Sequence, residues 1–326
     1  PPLPTDALKL RRVAAFDPAE DALRFRSSGT TAADRSLHPI RDLEMARAPL
    51  LAPLRHAMLP DLRVGARVRM LILAPTHAQA PESSLYFMLD HARAHLGAPA
   101  SAHGVSADGG LDLPAIAQAL DSARAAAEPL FLLGPSFAFV HLLDAYAALP
   151  SRPDWRLPAG SRLFETGGFK GKSRTVPRAE LHDALRATFG LDPAMIAAEY
   201  GMSELSSQLY EPSIRRRLLG LPPSLADRCL VPSPWCAVQI LDPNTLAPLP
   251  LGDEGLIAFL DLANWETAPA LLTSDLGRLL PSPHPDDTPP GWHGLPDHAC
   301  GLSLSGRAPL APPKGCSLAI DQLLQR

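Results

Sequence analysis

Cysteine is scarce in this chain: four in 326 residues, at positions 229, 236, 300 and 316. They are too few and too scattered for a disulfide framework, and no CxxC spacing marks a zinc site. Lysine is scarce beside arginine, 4 against 26, and the 30 basic residues fall short of the 34 acidic ones. A net charge of -4 lacks the basic surplus needed to grip nucleic-acid phosphates or anionic lipid, so no nucleic-acid partner is expected. The one tight basic run, Arg215-Arg216-Arg217, reads as a solvated face. No stretch reaches the roughly 18 uninterrupted apolar residues of a membrane span. The nearest, 129–149, is broken by Pro135, His141 and Asp144. The opening Pro1-Pro2-Leu3-Pro4 has neither a basic region nor an apolar signal core, so the expectation is a reduced, cytoplasmic protein. A Walker phosphate loop is missing too.

What is present is apolar material, 46% of the chain, enough for a sizeable core. Residues 67–74 form a short continuous apolar run, suited to a buried strand. Leu85, Met88, Leu89, Ala92 and Leu96 then recur at helical spacing and stop at Gly97. Residues 113–127 and 136–148 read as helices, 130–133 and 161–165 as strands. Pro177 opens a helix carrying Leu181, Leu185 and Phe189, and Gly190 closes it. Such alternation predicts a parallel, helix-covered sheet. The first 60 residues read as loops and short helices. Past residue 221 the strand-like runs 235–241, 255–260 and 271–280 predict a β-rich subdomain. The expected division is an α/β core over 1–220 and a β-rich part over 221–326.

Four segments carry chemistry. Ser27, Ser28, Gly29, Thr30 and Thr31 make a hydroxyl-rich turn whose amides and hydroxyls can ring a phosphate, although such clusters are often only turns. In Tyr200-Gly201-Met202-Ser203-Glu204 an aromatic can stack on a base, Ser203 can reach a phosphate and Glu204 can hold Mg²⁺. Asp275, in Thr273-Ser274-Asp275-Leu276-Gly277, and Arg307, in Ser305-Gly306-Arg307, are natural partners of ribose hydroxyls or a phosphate.

Taken in order, with Gly167-Gly168 between the first two, these segments resemble the adenylate-forming ligases. The resemblance narrows at Phe164-Glu165-Thr166-Gly167-Gly168-Phe169-Lys170-Gly171-Lys172, at 199–208 (EYGMSELSSQ) and at Lys314-Gly315-Cys316-Ser317-Leu318, which look like the acyl-protein synthetase (LuxE) family. It runs from about Phe25 to the C-terminus.

The resemblance implies an α/β fold of the adenylate-forming N-terminal type, with helix-covered sheets and a β-rich subdomain. It also implies ATP-dependent activation of a carboxylic acid, in this family a fatty acid, to an acyl-adenylate that is passed to a thiol. By the same resemblance 27–31 cradle the outer phosphates, Gly167 and Gly168 let the backbone pass the adenine, and Tyr200 and Gly201 lie against the ring. Ser203 joins the phosphate contacts, Glu204 holds Mg²⁺, and Asp275 and Arg307 fix the ribose. Lys170 neutralises either the phosphate or the carboxylate, and Cys316 is the internal acyl acceptor. An acyl reductase or a carrier protein is the implied partner. Two alternatives stand beside this: a ligase delivering to CoA or a carrier thiol without Cys316, and a non-catalytic nucleotide-binding subunit. Ala32-Ala33-Asp34-Arg35 replaces the superfamily's Gly and Lys after the phosphate turn, and with 19 residues beyond Arg307 the expectation is a fold lacking its mobile C-terminal lobe.

Overall fold

The structure is a computed structural model that describes residues 1–27, 35–106, 109–167, 173–223, 228–281 and 299–308. The chain opens with β1 (Leu3–Pro4), α1 (Ala7–Leu10), β2 (Leu23–Arg26), β3 (Leu37–Ile40) and α2 (Leu43–Met58). Next come β4 (Arg69–Ile72), α3 (Ser84–Leu96), β5 (Ala102–His103), α4 (Leu113–Ala125), β6 (Leu130–Pro135), α5 (Ser136–Ala147), β7 (Arg162–Thr166), α6 (Arg178–Phe189) and β8 (Ile196–Tyr200). The remainder is β9 (Leu209–Tyr210), α7 (Ser213–Leu218), β10 (Val231–Pro232), β11 (Cys236–Leu241), β12 (Gly255–Asp261), β13 (Ala270–Pro281) and β14 (Ala299–Arg307). Among the described residues no helix is long and apolar enough to cross a membrane.

These elements group into two compact units, and neither is a single stretch of chain. The first comprises Pro1–Pro53, Met202–Tyr210 and Ser224–Arg326; the second comprises Leu54–Gly201 and Glu211–Pro223. The sequence predicts one boundary at 220/221; in the structure β1 pairs in parallel with β13, which ties the N-terminus to the β-rich residues.

In the second unit β5, β4, β6, β7 and β8 lie side by side in that order, every pair parallel. All six residues of β6 are buried, as a strand covered on both faces requires. Leu71, Leu132 and Leu163 from the strands pack with Ile116, Leu120, Phe139 and Leu185 from the helices. Trp155 stacks on Phe189, their ring centroids 6.2 Å apart. Gly190 ends α6 with φ +65°, the left-handed turn that a glycine adopts without strain.

In the first unit β11, β12, β13 and β14 form an antiparallel ladder, and β1 pairs with the start of β13 on the same edge as β14, opposite β12. Cys236, Val238 and Ile240 point inward while Ala237 and Gln239 face solvent, the period-two signature that made β11 legible. Two elements differ from expectation. Helix α2 runs 16 residues despite Pro49 and Pro53, which made this stretch read as short pieces. Strand β14, read only as a motif, pairs with β13 from Ala299 to Arg307, with two breaks in register.

The basic run is only partly a solvated face. Successive side chains of a helix point about 100° apart. In α7 Arg217 is exposed and pairs with Asp192, whereas Arg216 is buried and donates to the Pro222 carbonyl.

Candidate active site

The hydroxyl-rich turn joins β2 to β3, which pair antiparallel from Leu23↔Ile40 to Arg26↔Leu37. Its base is closed by Ser27. The Ser27 amide donates to the Ser36 carbonyl (3.1 Å), the Ser36 amide to Ser27 Oγ (2.9 Å), and Arg35 Nε to the Ser27 carbonyl (2.9 Å). Ser28, Gly29, Thr30 and Thr31 lie outside the described residues, as do Gly168, Lys170 and Cys316.

Within the first unit this turn base meets the Ser-Glu motif. Ser203 Oγ donates to the Arg26 carbonyl at 3.4 Å, and Ser36 Oγ donates to Glu204 Oε1 at 3.1 Å across 168 positions of sequence. His38 Nε2 sits 2.7 Å from the same Ser36 Oγ and 3.9 Å from Glu204 Oε1. Burial pushes the His38 pKa below its ordinary value, against the opposing pull of Glu204. The backbone of the motif is held from β12 and the turn after it. Asn264 Nδ2 donates to the Glu204 carbonyl (2.8 Å), and the fully buried Asp261 accepts from the Ser206 and Ser207 amides, the Ser207 hydroxyl and the Ala263 amide. Trp235 Nε1 in turn donates to Ser207 Oγ.

On the same ladder Asp275 of β13 stands directly across from Arg307 of β14, and Arg307 Nε donates to Asp275 Oδ1 at 2.9 Å. Thirty-two positions apart in sequence, the two candidate ribose residues form one ion pair.

The other candidates belong to the second unit. Thr166 of β7 pairs with Glu199 of β8, and Thr166 Oγ1 also donates to the Glu199 carboxylate. One step further along the same adjacent strands come Gly167 and Tyr200, followed by Gly201. This is the carboxyl end of the parallel sheet, where open α/β folds bind ligands. Gly167 has φ +71°, and among the described residues a Cβ there would meet nothing within 4 Å. Beneath it lies Glu165, fully buried. Burial would raise its pKa, but the His182 hydrogen bond, the charges of Arg178 and His182 and the Ser136 hydroxyl outweigh burial and hold it below the ordinary carboxylate range. Arg178 bridges Glu165 (3.3 Å) and the buried Glu211 (2.6 Å).

The residues that the sequence motifs do not include are Ser36, His38, Asp261 and Asn264 in the first unit, and Ser136 and His182 in the second; Glu165 stands in a quoted motif without a role of its own. Ser36 and His38 left a faint signal, two polar residues spaced i, i+2 on one face of a strand. Nothing in the sequence pointed to their partner.

Glu204 fits a hard divalent cation: an oxygen donor, mostly shielded, with the Ser36 hydroxyl on one of its two oxygens. Among the described residues no three His, Cys, Asp or Glu gather to hold a metal. A Mg²⁺ ion would therefore take its other ligands from water and phosphate oxygens, as it commonly does.

A family model described as acyl-protein synthetase, LuxE, matches residues 1–323. The chain belongs to the LuxE acyl-protein synthetase family. Relatives of this LuxE-family chain include a long-chain-fatty-acid–luciferin-component ligase of Vibrio harveyi. It is 26% identical over 286 residues, 85% of this chain and 68% of that protein. A ligase of the same name from Aliivibrio fischeri is 25% identical over 199 residues, 60% of this chain and 46% of that one. Among solved structures, a 2-hydroxyisobutyryl-CoA ligase superposes with TM-score 0.57 at 14% identity, covering 90% of this chain and 53% of its own. The amide bond synthetase McbA from Marinactinospora thermotolerans gives 0.51 at 19%, covering 89% and 49%. ATP-bound MatB from Rhodopseudomonas palustris gives 0.51 at 18%, covering 90% and 49%. The LuxE-family chain thus has the α/β fold of adenylate-forming ligases and spans about half the length of these structures and of the A. fischeri relative.

Proposed function

We propose that this protein activates a carboxylic acid of the fatty-acid class with ATP, forming an acyl-adenylate, and then transfers the acyl group to a thiol. The observation that carries the reading is the meeting of the phosphate-turn base with the Ser203–Glu204 motif, drawn from opposite parts of the sequence to hydrogen-bonding distance. Membership of the LuxE family and the names of the curated relatives support the acid class.

In the first step an acid carboxylate oxygen bonds to the α-phosphorus of ATP as the bond to the pyrophosphate oxygen breaks. Negative charge moves onto the departing phosphates, and donors fixed in advance stabilise it most. The amides and hydroxyls of 27–31, with Ser203, are assigned to those phosphates, and Lys170 to the phosphate or the incoming carboxylate. Asp275 accepts from the ribose hydroxyls while Arg307 keeps its carboxylate in place. Gly167, Gly168, Tyr200 and Gly201 are assigned to the adenine. Glu204 is assigned to Mg²⁺, which when bound neutralises charge on the phosphate oxygens. In the second step a thiolate attacks the acyl carbon, forming a thioester as AMP leaves. Cys316 is the proposed internal acceptor, and an acyl reductase or carrier protein is the proposed onward partner.

The test is acid-dependent exchange of labelled pyrophosphate into ATP over a panel of fatty, aryl and amino acids. Exchange with fatty acids, abolished by Glu204→Ala, is the expected result; no exchange with any acid would reject adenylation. Labelled fatty acid retained on the denatured protein and lost in Cys316→Ser would establish self-acylation. Undiminished transfer to CoA by that variant would give the acceptor role to CoA.

A further inference from the structure

The carboxylate assigned to the cation is tethered at one oxygen. Glu204 Oε1 accepts from Ser36 Oγ at 3.1 Å, and Ser36 Oγ lies 2.7 Å from His38 Nε2. A serine hydroxyl has one proton to donate. With that proton on Glu204, Ser36 Oγ must accept from the histidine, so His38 Nε2 carries hydrogen. The line Nε2–H to Oγ–H to Oε1 is the same whether the ring is neutral or charged.

The two supports are themselves well fixed. Ser36 is 0% exposed and His38 7%, and Ser36 is held at both its amide and its carbonyl by Ser27. Asn264 fixes the Glu204 backbone from the other side, with its second amide hydrogen on the Ala268 carbonyl. Glu204 Oε2 accepts no hydrogen bond among the described residues. An unrestrained glutamate side chain samples many rotamers, and restraining one oxygen reduces the ordering left for ligand binding.

We propose that Ser36 and His38 are positioning residues that hold the Glu204 side chain by Oε1 and present Oε2 to the divalent cation of the bound nucleotide. The inference rests on the adenylation reading. It concerns residues that the motifs did not include, and it assigns them no contact with substrate.

The test is direct binding of Mn²⁺, followed by its electron paramagnetic resonance signal, in the presence of a non-hydrolysable ATP analogue. Ser36→Ala and His38→Leu should each weaken Mn²⁺ binding about tenfold, the scale of one hydrogen bond to a charged group. Binding of the analogue in EDTA should change less than about twofold. His38→Gln, which keeps an N–H at similar reach, should recover most of the affinity; this comparison with His38→Leu separates a supplied N–H from filled space. On a Glu204→Gln background the Ser36→Ala effect should vanish. Melting temperatures identify any variant that fails to fold, and Ser36→Thr, which retains the hydroxyl, then stands in for Ser36→Ala and should bind nearly as the parent. Wild-type Mn²⁺ affinity in Ser36→Ala and His38→Leu would overturn the proposal, as would an effect undiminished on the Glu204→Gln background or equal losses in His38→Gln and His38→Leu. Failure of the wild-type protein to bind Mn²⁺ with the analogue would overturn the adenylation reading, and the proposal with it.

Discussion

Removing the Asp261 carboxylate should unfasten the motif segment from behind. Asp261 is 0% exposed and accepts four hydrogen bonds: from the Ser206 amide (3.0 Å), the Ser207 amide (2.9 Å), the Ser207 hydroxyl (2.7 Å) and the Ala263 amide (3.1 Å). In Asp261→Ala three amides lose their acceptor, while the Ser207 hydroxyl can turn to another. At about 1 kcal/mol net for each stranded donor the loss is about 3 kcal/mol. That corresponds to a fall in melting temperature of about 6–12 °C for a unit of this size. Asp261→Asn should cost less, about 1–2 kcal/mol. Its carbonyl can keep the Ser206 and Ser207 amides, while its amide group must face the Ala263 N–H.

The pH dependence separates the two substitutions further. Burial raises the Asp261 pKa above its ordinary 3.8, outweighing the hydrogen bonds that lower it. The folded state therefore keeps its proton to higher pH than the unfolded chain. This contribution to stability is complete below 3.8 and is lost as pH rises through the folded pKa. The gap between wild type and Asp261→Asn should accordingly narrow as pH climbs from 3.8. Thermal melts from pH 3.5 to 8 supply both numbers. A drop below about 2 °C in Asp261→Ala would refute the hydrogen-bond count, and a gap that widens with pH would refute the sign.

Asp61→Asn should destabilise the second unit by about 1–2 kcal/mol, because the buried Arg162 loses one of its two 2.7 Å bonds and the opposite charge behind the other, while the exposure of Asp61 limits the effect. Hydrogen bonding and charge from Arg162 hold Asp61 below its ordinary 3.8, so this stabilisation is present above 3.8 and lost as pH falls below it; melts of the two proteins should converge in acid. Burial pushes the Cys236 thiol well above its ordinary range, so alkylation of the native protein at pH 8 followed by mass spectrometry should leave Cys236 unmodified until denaturation. Gly167→Ala should cost about 1 kcal/mol from φ, since no atom of the described residues opposes a Cβ, and a loss of nucleotide affinity beyond that would locate the adenine at this strand end.

Much of the second unit could be read directly. Apolar runs placed β4, β6 and β7, and the stripe through Leu85, Met88, Leu89, Ala92 and Leu96 placed α3, because both signals arise from neighbours in sequence. Helix α2 was obscured by Pro49 and Pro53, and β14 by its glycines, for local propensity argues against both and tertiary packing overrides it. Glu204, Asp275 and Arg307 were found as motif residues. Ser36, His38 and Asp261 were not, since their significance lies in partners 168, 166 and 54 positions away.

What the sequence determined alone was local: the helical and strand periods, the caps at Pro177 and Gly190, and the residue types able to hold phosphate, ribose and a cation. Tertiary structure decided the pairings: β1 beside β13, Arg307 across from Asp275, and Ser36 against Glu204. The reason is physical. Helix and strand formation respond to side chains a few positions apart, whereas the entropy of closing a long loop changes only slowly with its length. Chain length therefore does little to single out one distant partner, and burial with satisfied hydrogen bonds makes the choice.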